Sequence, residues 1–295
     1  MVLGCEDTIE PAPPQVVLAF DTDLRLANEI DAVRVTVTPS GSDAVYDVPY
    51  DLGFAGLKLP ATLTVPQGSN PDQLVAARFV GSRGGVERVR RDIVFKVPSA
   101  GVKLLRVPLE ALCVSDKAAE LCASGQTCIA GTCQSSLVDT STLEDYSADK
   151  VFGGANSQCF ETDACLESGV EVTPIQADKL GGCFAALPAG TADSMNIGMV
   201  RTSGSQAGCL ATGCVTPLRP AAGTGWELSG STIKFPDAVC TKVAAKEITV
   251  VRSSLCQKLT PEIPLCSEGT SVTGTHITPS NPPQQKGYAP DPLRR

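Results

Sequence analysis

With 295 residues, 42% of them hydrophobic, the chain is long enough for about two domains and apolar enough to fill their cores. A single histidine beside 13 cysteines excludes histidine-rich metal chemistry and leaves a Ser-His-Asp or Cys-His site one residue to draw on. The net charge of −8 divides as −3 over 1–110, −4 over 111–150, −3 over 151–272 and +2 over 273–295, so no segment has the basic excess that phosphate binding requires and no nucleic-acid partner is expected.

In chain order, Val2-Leu3-Gly4-Cys5 matches a bacterial lipobox, in which the leader is cut before a cysteine that is then acylated. A short polar, Pro-rich tether follows over 6–14, and residues 1–15 are read as lipobox remnant and tether. A signal peptide carries a positive n-region and an apolar h-region of about 7–15 residues. Only four residues precede Cys5, so this reading expects the leader to be encoded upstream of Met1.

Residues 16–110 read as an antiparallel β-sandwich of immunoglobulin or transthyretin type. Val33, Val35 and Val37 alternate with polar residues, as do Leu63 and Val65, and the runs Ile93–Val97 and Leu105–Leu109 share the period of two that marks half-buried strands. Further strands are expected at 16–20, 45–50 and 74–80, separated by Gly/Pro/Ser turns. Arg83, Arg88, Arg90 and Arg91, interleaved with Glu87 and Asp92, read as a strand with a solvated face, with an anion-binding patch as the alternative.

Residues 111–135 hold Cys113, Cys122, Cys128 and Cys133 with almost nothing apolar to bury, so this small connector needs crosslinks to fold. The favoured pairs are Cys113–Cys128 and Cys122–Cys133. Residues 136–150 read as an acidic linker. Residues 151–272 read as a disulfide-rich β domain with Cys159, Cys165, Cys183, Cys209, Cys214, Cys240, Cys256 and Cys266, strands at 170–175, 183–187, 195–200, 233–235 and 248–251, and a short helix at 237–243. Cys159–Cys165, Cys209–Cys214 and Cys256–Cys266 are the plausible local bridges, among the 105 pairings eight cysteines permit. Residues 273–295, with five prolines and the lone His276, are expected to be disordered. The fold class is therefore mainly β: N-terminal sandwich, small disulfide-stapled connector, C-terminal disulfide-rich β domain.

No pair of cysteines has the C-x2-C spacing that zinc sites favour, so disulfides in an oxidising compartment are the expected state. Thirteen is odd, and Cys5 stands 108 residues before the next cysteine, which makes it the one without an internal partner.

The stretch Cys122-x-x-Gly125-x-Thr127-Cys128-x-x-Gly131-x-Cys133, the segments Leu59–Leu63, Arg83–Val86, Arg90–Asp92 and Leu104–Leu109, and the order of parts over 1–272 resemble Cys-rich exported lipoproteins of myxobacterial type. The resemblance implies a lipid-anchored envelope protein and brings no catalytic residues with it.

Motifs of common chemistry are missing: no G-x-S-x-G, H-E-x-x-H, P-loop or dinucleotide fingerprint occurs. The carboxylates Asp21, Asp23, Glu29 and Asp31 read as a solvated turn after the first strand, with Ca2+ binding and a glycosidase-like pair as the alternatives. Trp226 reads as a core anchor, and with one Trp, four Tyr and eight Phe the chain lacks the stacking faces that sugars use, so carbohydrate binding is not expected. The sequence thus predicts a non-catalytic, lipid-anchored protein of the cell envelope, most simply an outer-membrane lipoprotein, that meets the membrane through Cys5 and presents its β domains to a protein partner or serves a structural role. It implies no cofactor and no metal. The rival expectations are an exported hydrolase using carboxylates and a secreted protease inhibitor.

Overall fold

The computed structural model describes residues 12–40, 46–53, 55–153, 159–176, 182–187, 195–201, 214–220, 224–260, 262–266 and 275–277. Cys5, the tether through 11 and Cys209 lie outside the described residues. The fold is mainly β, as the sequence predicts.

Seven strands build the N-terminal sandwich: β1 (Gln15–Thr22), β2 (Ala32–Pro39), β3 (Tyr46–Asp51), β4 (Ala61–Pro66), β5 (Leu74–Arg83), β6 (Val86–Lys96) and β7 (Val102–Leu109). One sheet has the order β4-β1-β7 and the other β3-β2-β5-β6. All neighbours are antiparallel except β1 and β7, which run parallel from Gln15↔Val102 to Thr22↔Leu109. Immunoglobulin domains place the first strand beside the second, with the fifth and fourth on the same sheet. Here the first strand pairs with the fourth and seventh, which excludes that pairing and leaves the transthyretin-type alternative. The period-two residues fill the space between the sheets: Val33, Val35, Val37, Leu63, Val65, Ile93, Phe95, Leu105, Val107 and Leu109 are all buried in one cluster. Phe20 and Phe79 meet at its centre, ring centroids 5.1 Å apart.

The connector is covalently stapled. Cys113 pairs with Cys128 and Cys122 with Cys133, the pairing favoured from sequence. Its hairpin, β8 (Gln126–Ile129) and β9 (Thr132–Ser135), turns on Ala130 and Gly131, both at positive φ (50° and 79°). A two-residue hairpin loop with both residues in that region has the twist that matches its strands.

The 136–150 linker is fastened along the sandwich. Val94 N–H donates to Ser136 O (2.7 Å) and Val138 N–H to Val94 O (2.8 Å), covering the edge of β6. Leu104 N–H donates to Glu144 O (2.9 Å) and Tyr146 N–H to Val102 O (2.9 Å), covering the edge of β7. Two of its acidic residues are used in ion pairs: Asp145 with Lys103 at 2.7 Å and Glu144 with Lys150 at 2.9 Å. The following helix α1 (Ala148–Phe152) packs Val151 on Ala19 and Leu104, the outer face of the first sheet. Unpaired strand edges invite association with other chains, and this route closes two of them.

The second half begins with helix α2 (Thr162–Leu166) and two sheets of short strands. β10 (Val170–Val172) belongs to the first sheet and β11 (Ile175–Gln176) and β12 (Cys183–Ala186) to the second. β13 (Asn196–Arg201) and β14 (Cys214–Leu218) complete one side of the first sheet, while β15 (Glu227–Ser229) and β16 (Thr232–Phe235) complete the second. Helix α3 (Asp237–Ala244) then leads to β17 (Ile248–Ser253). The orders are β10-β17-β13-β14 and β11-β12-β16-β15. Both faces of the first sheet are covered: Leu166 of α2 packs with Val215 and Val251 on one side, while Ile197, Met199 and Val250 join the sandwich core on the other. Trp226 is a core residue, its Nε1 donating to Leu218 O at 2.9 Å.

Two of the local bridges expected from sequence are corrected. Cys159 pairs with Cys266, and Cys165 with Cys256, nested connections spanning 107 and 91 residues; Cys183 pairs with Cys240. The reason is backbone placement. Phe160 N–H donates to Pro264 O and Cys266 N–H to Phe160 O, which sets Cys159 beside Cys266, while α2 carries Cys165 onto the sheet whose strand β17 ends three residues before Cys256. Cys214 is also disulfide-bonded; its expected partner, Cys209, lies outside the described residues. Within the tail expected to be disordered, Thr275–Ile277 forms a strand, β18, parallel to β4 and so an added edge of the first sandwich sheet. The rest of 273–295 lies outside the described residues.

Candidate functional site

The carboxylates singled out by the sequence sit where β1 leaves the sandwich. Leu24, Leu26 and Ile30 are buried there, and so is Glu29 at 6% exposure, so the solvated turn expected from sequence is corrected to a buried junction. Thr22 starts it: its hydroxyl donates to Leu109 O (2.7 Å) and accepts from Leu24 N–H (3.1 Å).

Three acid–arginine pairs then join the two halves. Glu29 meets Arg201 of β13 at 2.5 Å, and its other oxygen accepts from Arg25 N–H at 2.9 Å. Asp21 accepts from Arg219 at 3.1 Å, and the same guanidinium donates to the carbonyls of Thr260 and Ile263, each at 3.1 Å. Arg25 grips Asp163 of α2 through both carboxylate oxygens, at 2.5 and 3.0 Å. Asp31 is elsewhere, accepting from Gly84 N–H at 2.8 Å. The four carboxylates therefore do not converge as a calcium shell would require.

Asp23, between the Asp21 and Glu29 pairs, accepts from a backbone amide instead of an arginine. Its Oδ1 accepts from Ala111 N–H at 2.6 Å. Burial, reinforced by the nearby negative Glu110, pushes its carboxyl up to about 8; the Ala111 bond and Arg201 oppose the shift without cancelling it. Glu110 is itself raised, again chiefly by burial, although it accepts from Ala130 N–H at 2.7 Å and faces Arg91. Arg91 is buried, contrary to the solvated face expected for its strand. It lies on the core side of β6 between Val89 and Ile93 and donates to Cys128 O at 2.8 Å. Burial lowers its pKa, opposed by the nearby Glu110.

Asp23 lines an open cleft of about 420 Å³ together with Arg25 and Asn28; Glu161, Thr162 and Asp163 form the opposite wall beside the Cys159–Cys266 bridge. A carboxyl that stays protonated near neutral pH can donate a proton, so the cleft has one component of acid chemistry. Cys159, Glu161 and Cys266 come within 4.8 Å of one another, but both sulfurs are bonded to each other and offer no thiolate to a metal.

Sequence reasoning found Asp21, Asp23 and Glu29 but missed Glu110, Asp163, Arg201 and Arg219. Their partners stand up to 198 residues away along the chain, and no local pattern announces such a pair. The hairpin tip between Cys128 and Cys133, the natural place for an inhibitory loop, is turned inward: Ala130 is 2% exposed, and a Cβ on Gly131 would meet Ala238 Cβ at 2.4 Å.

No protein-family model, curated protein or solved structure matches the chain. The fold and its crosslinks define a mainly β, disulfide-stapled protein of an oxidising extracellular or envelope environment. No helix among the described residues is long and apolar enough to cross a membrane.

Proposed function

We propose that the protein is a non-catalytic, lipid-anchored component of the cell envelope, an outer-membrane lipoprotein, that presents its β units to a protein partner. The observation that carries this reading is the use of the acidic loop 21–31. Asp21 and Glu29, the best candidates for catalysis or calcium, are held by Arg219 and Arg201 and fasten the second half to the sandwich. The lipobox pattern at Cys5 and the polar tether before β1 support the anchor, and the disulfides support export. A diacylated cysteine supplies two chains, the number that stable anchoring requires.

The test is metabolic labelling with an alkynyl palmitate in a Gram-negative host, using the gene with its natural upstream sequence. The wild type is expected to take the label and sediment with membranes, and Cys5→Ala to do neither. An unlabelled, soluble wild type overturns the anchor.

A second reading, a carboxylate hydrolase, draws on the raised Asp23 and its cleft. Its test is a panel of nitrophenyl esters and glycosides: turnover by the wild type that disappears in Asp23→Asn would establish it, and the proposal above expects none.

A further inference from the structure

The solvated face of β2, β5 and β6 meets the disulfide-stapled connector in a second cleft, about 530 Å³ in volume and distinct from the Asp23 junction. Arg78 and Arg90 stand in it on neighbouring strands. Each directs its Nε to the same carboxylate: Arg78 to Asp92 Oδ1 at 2.6 Å, Arg90 to Asp92 Oδ2 at 2.7 Å. One aspartate thus orients two guanidinium groups, and their terminal nitrogens have no partner among the described residues. Both are reachable, with side-chain exposures of 51% and 20%. The cleft has two positive charges against one negative in a chain of net charge −8. Paired, pre-oriented guanidinium forks suit a planar carboxylate, which they bind through parallel charge-assisted hydrogen bonds.

The rest of the lining narrows the ligand class. No aromatic side chain among the described residues lines the cleft, so it lacks the stacking face a sugar ring uses. Its apolar contacts come from Ala76, Ala119 and Ala123, together with the half-buried Val94 and the half-exposed Leu121. We infer that this cleft is the docking site for an acidic peptide segment of the partner, which places an Asp or Glu carboxylate on Arg78 and Arg90 and small side chains along the alanines. This deepens the partner-binding reading and rests on it.

The test uses the purified, oxidised full chain and fluorescein-labelled acetyl-(Ala-Glu)4-amide, followed by anisotropy at low salt. The (Ala-Glu)4 peptide is expected to bind, the isosteric (Ala-Gln)4 peptide at least tenfold more weakly, and Arg78→Gln/Arg90→Gln to lower (Ala-Glu)4 affinity at least tenfold. Arg78→Glu alone, at the more exposed position, guards against misfolding and is expected to act in the same direction. Absence of binding, equal binding of the two peptides, or indifference to the arginine variants overturns the inference. Dextran sulfate binding tenfold tighter with the same arginine dependence overturns it in favour of an anionic glycan. The result is independent of the palmitate experiment: a peptide that fails to bind leaves labelling of Cys5 intact, and an unlabelled Cys5 leaves the arginine cleft's binding intact.

Discussion

The two halves of the molecule solve the same problem by different means. The sandwich has strands of 6–11 residues, no cysteine between β1 and β7, and a core filled largely by alternating residues, with β1 buried on both faces. The second half has strands of 2–6 residues, too short to define a sheet by pairing alone, and closes them with long-range disulfides. Apolar burial contributes roughly 25 cal/mol per Å², so long alternating strands accumulate stability along their length. Short strands gain little that way, and covalent closure of a large loop removes unfolded-state entropy instead. Yet the two halves share one buried cluster, in which Ile197, Met199, Phe235 and Val250 pack in continuity with Val33 and Phe79. The difference lies in what defines each half's own strands rather than in separate cores.

Two variants should break this comparison most strongly. Phe79→Ala empties the centre of the sandwich at a cost of about 3–5 kcal/mol. Cys165→Ala/Cys256→Ala removes the inner of two nested bridges; with Cys159–Cys266 still closed the loop it opens is only about 15 residues, and the loop-entropy relation places the loss at about 3 kcal/mol. Hydrogen exchange by mass spectrometry separates them. The cysteine variant should lose protection over β13 and β17 while β2 and β5 keep theirs; Phe79→Ala should lower protection in both halves. Equal loss everywhere in the cysteine variant would mean that the sandwich depends on the staples too.

The junction sharpens the comparison at a smaller scale. Glu29→Ala takes the carboxylate from the half-buried Arg201, which keeps its bond to Thr216 Oγ1, and should cost about 2 kcal/mol, whereas Glu29→Leu/Arg201→Leu, which removes both charges, should cost less than the single change. Urea denaturation of both variants measures the difference; a double variant weaker than Glu29→Ala contradicts it. At the other contact, Gly131→Ala adds a methyl against Ala238 at a backbone position with φ of 79°, so a loss of about 1–3 kcal/mol is expected in the same assay. A loss near zero would mean that α3 yields at this contact.

Legibility followed the same division. Val33, Val35 and Val37 announce β2 because a half-buried strand repeats every two residues, and the favoured connector bridges are those the structure forms. Where stability comes from contacts distant in sequence, local pattern carries no trace of it. Cys159 and Cys165 are six residues apart, yet each reaches a different far partner because α2 and the 264–266 segment set their directions. Asp21 and Glu29 look like a solvated turn until Arg219 and Arg201 arrive from the second half. The 136–150 stretch looks like a spacer because its backbone bonds to Val94, Val102 and Leu104 and its Asp145–Lys103 pair form only after β6 and β7 are in place.

The smallest expected effect bears on Asp23, which accepts from a backbone amide rather than an arginine. Asp23 ionises near about 8 in the fold, while an aspartate in the unfolded chain ionises near ~3.9. Between those values the fold keeps a proton that the unfolded chain releases. Stability from this group is therefore fully present below about pH 4, falls as pH rises, and is lost once pH passes about 8. Asp23→Asn keeps an oxygen to accept from Ala111 N–H but cannot ionise, so it should flatten that slope. The gain from Asp23→Asn should therefore grow with pH across that window and level off above about pH 8. A fully enclosed carboxyl would lose ~1.4 kcal/mol for every pH step of one across that window, and the open cleft beside Asp23 weakens the effect. Urea midpoints at pH 5 and pH 8 for wild type and variant give the comparison. Parallel profiles would contradict the assignment of the proton to Asp23. Glu110 is raised by the same burial and has the same sign, so a slope that survives in Asp23→Asn and vanishes in Glu110→Gln would assign the proton to Glu110. The cleft would then have lost its proton donor, and the hydrolase reading would fall with it.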